Sequence, residues 1–99
     1  MKRLFLVLAL AGTAPSLSAQ DAAQRLAAPC AICHGSDGRA ASNDLAPLAG
    51  LPREHIASQL RAFRDGQRQA TVMHQIAKGY SDAQIDALAT WFSAQKRQP

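Results

Sequence analysis

The 99-residue sequence has few aromatic residues, only two cysteines and no segment typical of a β-strand. No stretch of four or more alternating β-branched or aromatic residues occurs, which argues against a sheet. The arginines are scattered along the chain and form no basic stripe, so the sequence does not favour a nucleic-acid partner. The remaining periodicity is helical. The sequence therefore predicts a small all-α protein.

A long apolar run is also missing. A basic pair, Lys2 and Arg3, precedes an apolar run that covers only half of the about 20 residues that a membrane-spanning helix requires. A basic start, a short apolar centre and small residues after it are typical of a secretory signal peptide. We interpret residues 1–19 as this signal, cleaved at Ala19 or one residue earlier, and residues 20–99 as one domain. No cysteine near the cleavage point could carry a lipid anchor.

The predicted mature domain has about 80 residues, a size at which a hydrophobic core alone gives marginal stability. Loss of Lys2 and Arg3 leaves 9 of the 11 basic residues against 7 acidic residues, so the formal charge falls from +4 to +2. The basic character of the chain therefore belongs partly to the signal. A domain of this size requires a further source of stability, such as a cofactor, a metal or a disulfide.

Three segments have helical periodicity. The first begins near Asp21, a candidate N-cap, and runs into the cysteine motif. The second begins near Pro52 and ends at Gly66. The third follows Ser81, whose spacing to Gln84 matches a capping box. Apolar residues share one face of the second and third helices at Ile56, Leu60, Phe63, Ile85, Leu88, Ala89 and Phe92.

Two connecting segments have their own signals. A short helical turn is predicted between Val72 and Lys78, closed by Gly79. The segment from Gly35 to Gly50 is rich in Gly, Ser, Asn, Asp and Pro and predicts a long loop. A loop of this length requires a surface on which to pack.

Two cysteines and a histidine stand close together in the stretch PCAICHG, residues 29–35. A thioredoxin-like dithiol is expected beside a βαβ pattern, which this chain does not have. A zinc site requires four ligands, but His55 and His74 are 19 residues apart and form no second closely spaced pair. A disulfide between Cys30 and Cys33 would close too small a ring to restrain the unfolded chain.

His34, directly after Cys33, completes the pattern C-x-x-C-H, which is the attachment signature of c-type haem. In this chemistry both thiols add to the vinyl groups of haem and the adjacent imidazole becomes an axial ligand of the iron. We therefore predict one covalently bound haem c, attached through Cys30 and Cys33, with His34 on the iron. The uncharged segment LAAPCAIC around the motif indicates either an exposed haem edge or simple alanine helix propensity.

The sixth iron ligand is predicted to be Met73, the one methionine besides the initiator. A thioether suits haem iron, and the 39 residues after His34 allow the chain to reach the opposite face of the ring. An ordinary core methionine is the alternative interpretation. His74, which directly follows Met73, can also bind iron and stays a competing candidate, whereas His55 is assigned no role.

Three segments carry a resemblance to a known family: CAICHG, PLAGLPREHIASQLRAFRDGQR and VMHQIAKGYSDAQIDALATWFS. Over about residues 20–96 they resemble the small bacterial class I cytochromes c. The resemblance implies three main helices and a short helical turn around one haem, with His34 and Met73 as axial ligands. It also implies a hydrogen bond from the His34 ring to a proline carbonyl near Pro47. Two departures are that this proline stands one residue closer to LAG than usual, and that His74 replaces a small residue.

The segment IAKGYSDAQI is similar to the cytochrome subunit of flavocytochrome c sulfide dehydrogenase. That resemblance implies a flavoprotein partner that oxidises sulfide and passes electrons to this haem. The predicted function is thus a periplasmic one-electron carrier with no enzymatic activity of its own. The alternatives are a free periplasmic shuttle that serves several redox partners, and a haem protein that senses a ligand at an open sixth site.

Overall fold

The fold consists of short α-helices in a computed structural model that describes residue 2 and residues 5–97. The helices are α1 (Ala19–Ala27), α2 (Ala31–His34), α3 (Arg53–Arg64), α4 (Met73–Ala77) and α5 (Asp82–Ser93). Two 3₁₀ turns, Ala28–Cys30 and Ser36–Gly38, flank α2. No strand occurs among the described residues. The predicted all-α class, with three main helices and a short helical turn, is confirmed.

Helix α1 begins earlier than the sequence predicted. Ser18 is its N-cap, in an extended conformation, and its hydroxyl accepts a hydrogen bond from the Asp21 backbone N–H at 3.1 Å. The prediction of Asp21 as the N-cap is therefore wrong for the full-length chain, whereas cleavage of the predicted signal after Ser18 or Ala19 would remove the Ser18 cap. Ala19 and Gln20 are compatible with a helix, so the first turn extends upstream until a side chain can satisfy its free N–H groups. Asp21 instead lies in that first turn, where its charge complements the helix dipole.

The capping box at the start of α5 is confirmed. The Gln84 backbone N–H donates to the Ser81 hydroxyl at 3.2 Å, and the Ser81 N–H donates to the Gln84 side-chain oxygen at 3.0 Å. Pro52 precedes the first residue of α3, within one residue of its predicted place. The predicted turn before Gly79 is α4. Local sequence signals thus determine where these helices begin.

The core lies where α5 packs against α1 and α3, while α4 packs against α3. Ile85 and Leu88 of α5 are its largest fully buried side chains. Several members are alanines, which allow the helices to approach closely but bury little area each. Phe63 lies outside this cluster, beneath the Arg68 guanidinium at 4.7 Å. The buried residues of the cluster are Ala27, Ile56, Ala57, Ile85, Leu88, Ala89 and Phe92.

Ion pairs join α3 to α5 on the outside of this core. Arg61 lies 2.7 Å from Asp86, and Arg64 lies 2.7 Å from Asp82. The pKa of the Asp82 carboxyl is lowered, chiefly by its hydrogen bond from Arg64 and further by Arg61. Exposed pairs of this kind contribute little individually, but a connected set favours one alignment of the two helices. α3 and α5 therefore form the frame on which the site is built.

Residues 5–18, before α1, have no helix or strand and are exposed. Arg3 of the predicted signal peptide, together with Met1 and Leu4, lies outside the described residues, as do Gln98 and Pro99. Among the described residues, no helix is both long and apolar enough to cross a membrane. The assignment of residues 1–19 as a cleaved signal stays a prediction.

Candidate functional site

The cysteine motif follows α1 directly. The turn Ala28–Cys30 leads into α2, which carries Cys33 and ends with His34. Cys30 packs against the core and Cys33 is exposed. The motif therefore offers one inward sulfur atom, in the turn before α2, and one outward sulfur atom, on α2 beside His34.

The glycine after His34 is required by the backbone. Gly35 has φ +81°, and a Cβ atom there would lie 1.9 Å from the Arg39 carbonyl oxygen. The chain reverses at this point into the turn that ends at Gly38. The Gly38 carbonyl then accepts hydrogen bonds from the backbone N–H groups of Leu48 at 2.8 Å and Ala49 at 3.1 Å. These contacts close the predicted loop back towards the motif.

The loop brings a backbone carbonyl to the histidine. The Nδ1 atom of His34 lies 2.8 Å from the Ala46 carbonyl oxygen. A carbonyl can only accept, so Nδ1 carries a proton, and in the neutral ring this tautomer leaves the lone pair on Nε2. The acceptor is Ala46 rather than the proline carbonyl that the family resemblance implied. Pro47 follows directly and favours an extended backbone at Ala46, which orients this carbonyl.

Burial governs the protonation of the inward cysteine. It raises the pKa of the Cys30 thiol above its usual range, and the nearby Cys33 adds to the effect. Burial also raises the pKa of the Tyr80 hydroxyl, with a smaller contribution from Cys30. Tyr80 packs against the same core as Cys30. Cys30 and Tyr80 are therefore both partly removed from water beside the same core.

The predicted sixth ligand lies on a separate helix. Met73 is the first residue of α4 and is half-buried, as is His74 beside it. The Nδ1 atom of His74 is buried and has no hydrogen-bond partner among the described residues. His55 is exposed on α3 and has no part in the site. Ligation of iron by Met73, with His74 as competitor, stays a prediction.

Several apolar side chains next to these residues are exposed to solvent. Ile32 stands between the two cysteines and is 86% exposed, while Leu45 precedes Ala46. Val72 and Ile76, which flank Met73 on and before α4, are 52% and 42% exposed. Large apolar side chains left in water at this density suit an apolar group that covers them. Sequence reasoning missed Leu45, Val72, Ile76 and Tyr80, although each stands close in sequence to a motif or ligand residue.

The remaining features fit haem better than the alternatives. Among the described residues, no group of three or more His, Cys, Asp or Glu side chains could hold a metal ion, so zinc lacks a ligand set there. A cavity of about 230 Å³ lies between α1, the motif and α5. Neither His34 nor Met73 lines it, so this cavity is not the place between the two predicted iron ligands. Two thiols, a histidine with its Nε2 free and uncovered apolar side chains match the requirements of a covalently attached haem.

Comparison with known proteins decides the family. A family model described as cytochrome C oxidase, cbb3-type, subunit III matches residues 17–92. The chain belongs to the cytochrome c family. It is therefore an electron-transport haem protein with covalently bound haem c, and Cys30 and Cys33 are consistent with the C-x-x-C-H motif of that family. The predictions of family and cofactor are confirmed.

Three relatives illustrate the similarity. A "Thiosulfate dehydrogenase electron acceptor" of Thiomonas intermedia (strain K12) is 48% identical over 71 residues, which cover 71% of this chain and 33% of that protein. The "Cytochrome subunit of sulfide dehydrogenase" of Chlorobaculum tepidum is 39% identical over 67 residues, which cover 68% of this chain and 60% of that protein. The "Cytochrome c-554(548)" of Halomonas halodenitrificans is 36% identical, and the alignment covers 68% of this chain and 84% of that protein. The cytochrome thus spans only part of the two longer relatives.

Proposed function

We propose that this cytochrome is a one-electron carrier in which His34 and Met73 hold the iron of a haem c attached through Cys30 and Cys33. The observation that carries the proposal is the 2.8 Å hydrogen bond between His34 Nδ1 and the Ala46 carbonyl. It determines the ring tautomer that leaves Nε2 as a ligand atom and increases the basicity of that atom. Bound haem c supplies an iron that gains and loses one electron.

Met73 is the better candidate for the second axial position. A methionine thioether favours reduced iron and raises the potential relative to a second histidine, which suits an electron acceptor. If His34 and Met73 both hold the iron, they would leave no position on it for a substrate, and the chain would transfer electrons without catalysis of its own. This arrangement argues against the ligand-sensing alternative.

His74 is the second candidate for that position because its buried Nδ1 atom has no hydrogen-bond partner. A buried polar atom without a partner is costly, so a group absent from the protein chain would satisfy it. The proposal of Met73 rests on the preference of an electron acceptor for a high potential. The two assignments differ in the near-infrared spectrum of the ferric protein.

Visible spectra test the haem assignment directly. The protein should be produced with its own leader in a host that attaches haem c, and the periplasmic fraction should be collected. We expect the reduced pyridine complex to show one haem c per chain, and reduced protein to show the sharp bands of six-coordinate low-spin iron. A high-spin ferric spectrum at neutral pH would contradict two protein ligands. Recovery of the protein only in the cytoplasm would contradict the signal peptide.

We propose as donor a flavoprotein that oxidises sulfide. Support comes from the IAKGYSDAQI resemblance and from the printed name of the Chlorobaculum relative. The formal charge of the predicted mature domain is small, so long-range steering is weak and a standing complex is favoured over a promiscuous shuttle. The name of the Thiomonas relative makes a thiosulfate dehydrogenase the competing donor. A free shuttle remains the alternative assembly.

Purification of the untagged cytochrome from its native periplasm distinguishes these donors. We expect co-elution with a flavin-containing chain and rapid haem reduction when sulfide is added to the complex. Cytochrome separated from that chain is the control, because sulfide also reduces haem iron directly and slowly. A lone monomer that is reduced only after a separate dehydrogenase is supplied would support the shuttle. Reduction by thiosulfate instead of sulfide would assign the other donor.

A further inference from the structure

The chain after α5 lies across the loop that follows the haem motif. The Arg97 Nε atom donates a hydrogen bond to the Gly50 carbonyl at 3.0 Å, and the Arg39 Nε atom donates to the Lys96 carbonyl at 3.0 Å. The Gly50 N–H in turn donates to the Phe92 carbonyl near the end of α5 at 2.9 Å. The tail, defined as residues 94–97, is therefore bonded to both ends of the loop, defined as residues 39–50.

This loop presents the acceptor for His34. Residues 41–47 are exposed, so packing holds Ala46 weakly. Its position depends mainly on how the loop is attached at its ends. The Gly38 carbonyl holds the loop through Leu48 and Ala49, and the tail adds attachments at Arg39 and Gly50.

The contact between tail and loop is close. Gly50 has φ +71°, and a Cβ atom there would lie 2.5 Å from the Arg97 Cγ atom. Arg39 also lies 3.5 Å from the Asp37 carboxylate, in the turn directly after the motif. One arginine thus connects the tail to the segment that leaves His34, and the other connects the tail to the far end of the loop.

We propose that Arg39 and Arg97 are positioning residues for His34: by bonding the tail to the loop they hold the Ala46 carbonyl against Nδ1. A shorter and more persistent hydrogen bond at Nδ1 makes the ring a stronger donor to iron and stabilises the oxidised state. Loss of the two arginine contacts loosens the loop and raises the reduction potential. This inference rests on the proposed ligation of iron by His34.

The test uses reduced holoprotein, in which low-spin iron is diamagnetic and the His34 Nδ1 proton is observable by NMR. We compare its solvent exchange with that of the Leu88 backbone N–H, which is buried in α5. In the double variant Arg39→Ala/Arg97→Ala we expect the ratio of the His34 exchange rate to the Leu88 exchange rate to rise about fivefold. This factor corresponds to the net free energy of about one hydrogen bond. The reduction potential of the same sample should rise.

Two controls separate positioning from general effects. Asp37→Asn removes the ion pair with Arg39 and keeps a side chain that tolerates the positive φ of residue 37. Arg68→Ala removes one positive charge from a residue that contacts Gln59 and Phe63 and not the loop. Arg68→Ala should leave the ratio of exchange rates and the potential unchanged, whereas Asp37→Asn, which removes one contact of Arg39 and keeps both bonds to the tail, should raise the ratio less than the double variant does.

The outcomes are distinct. An unchanged ratio and an unchanged potential in the double variant would overturn the proposal. Equal acceleration at His34 and Leu88 would also overturn it, since the arginines would then act only on global stability. If the double variant fails to bind haem, Arg97→Lys and Arg39→Lys, which keep the charge but lose the Nε donor, are measured separately against the same criteria. A His34 ring without haem ring-current shifts would instead contradict the proposed ligation.

Discussion

His34 and Ala46 lie twelve residues apart and meet through a 2.8 Å contact between the imidazole Nδ1 and a backbone carbonyl. The contact joins the end of α2 to an exposed loop with no helix or strand around Ala46. It determines which nitrogen of the ring is free, and so which atom can bind iron. A backbone acceptor is present whatever side chain stands at residue 46, provided that the loop keeps its path.

The ligand opposite His34 can be identified by substitution. We expect Met73→Ala to abolish the near-infrared charge-transfer band of sulfur-ligated ferric haem and to lower the reduction potential, because a thioether stabilises reduced iron. His74→Ala is the matched control and should retain both the band and the potential. Absorption spectra and redox titration provide the measurements. Loss of the band in His74→Ala together with its retention in Met73→Ala would make His74 the ligand.

The covalent cofactor should be a condition for folding. The buried cluster contains three alanines and only a few large side chains, so it offers little apolar area without the haem. Cys30→Ala/Cys33→Ala should therefore yield a mostly unfolded or degraded chain, measured by far-ultraviolet circular dichroism and recovery from the periplasm. Cys30→Ala alone keeps one attachment residue and should retain more haem and more helix. A stable, helical double variant would show that the polypeptide core suffices.

The capping box of α5 should contribute measurably to stability. Ser81→Ala removes the hydroxyl that accepts the Gln84 N–H, and we expect the free energy of unfolding to fall by about 1 kcal/mol. Ser58→Ala is the control, because Ser58 is exposed within α3 and its hydroxyl bonds only the preceding turn at His55. That change should stay within about 0.5 kcal/mol. Chemical denaturation of holoprotein measures both, and equal losses would contradict the special role of Ser81.

Acid should weaken the connection between α3 and α5. The hydrogen bond from Arg64 lowers the pKa of the Asp82 carboxyl in the folded protein. A folded pKa below the unfolded value means that the unfolded state binds more protons, so this contribution is present above about pH 4 and is lost as the pH falls through the folded pKa. The stability difference between the natural protein and Asp82→Asn should therefore be largest near neutral pH and shrink on acidification.

Denaturation curves at a series of pH values measure this difference. The matched comparison introduces Asp82→Asn into the Arg64→Gln variant, which already lacks the main partner of Asp82. In that background the effect of Asp82→Asn on the free energy of unfolding should depend less on pH. Arg61 still lies 3.4 Å from Asp82 in that background, so a residual dependence is expected. A difference that grows on acidification would contradict the assignment.

The sequence by itself determined the class of the fold and the chemistry of the motif. Helix starts depend on contacts within one turn, which is why Ser81 and Gln84 predicted the start of α5 and C-x-x-C-H predicted haem c. The same local logic could have located the N-cap of α1, since Ser18 stands three residues before Asp21. The redox dithiol was excluded because it is expected beside a βαβ pattern, and the sequence has no strand signals from which to build one.

Only the tertiary structure decided which carbonyl meets His34 and what holds it there. The Ala46 carbonyl has no side-chain signature, and a shift of Pro47 by one residue was enough to mislead the family-based expectation. The bonds from Arg39 to Lys96 and from Arg97 to Gly50 span 57 and 47 residues. No spacing rule connects such positions, because backbone acceptors are the same at every residue and the path of the loop in space selects one of them.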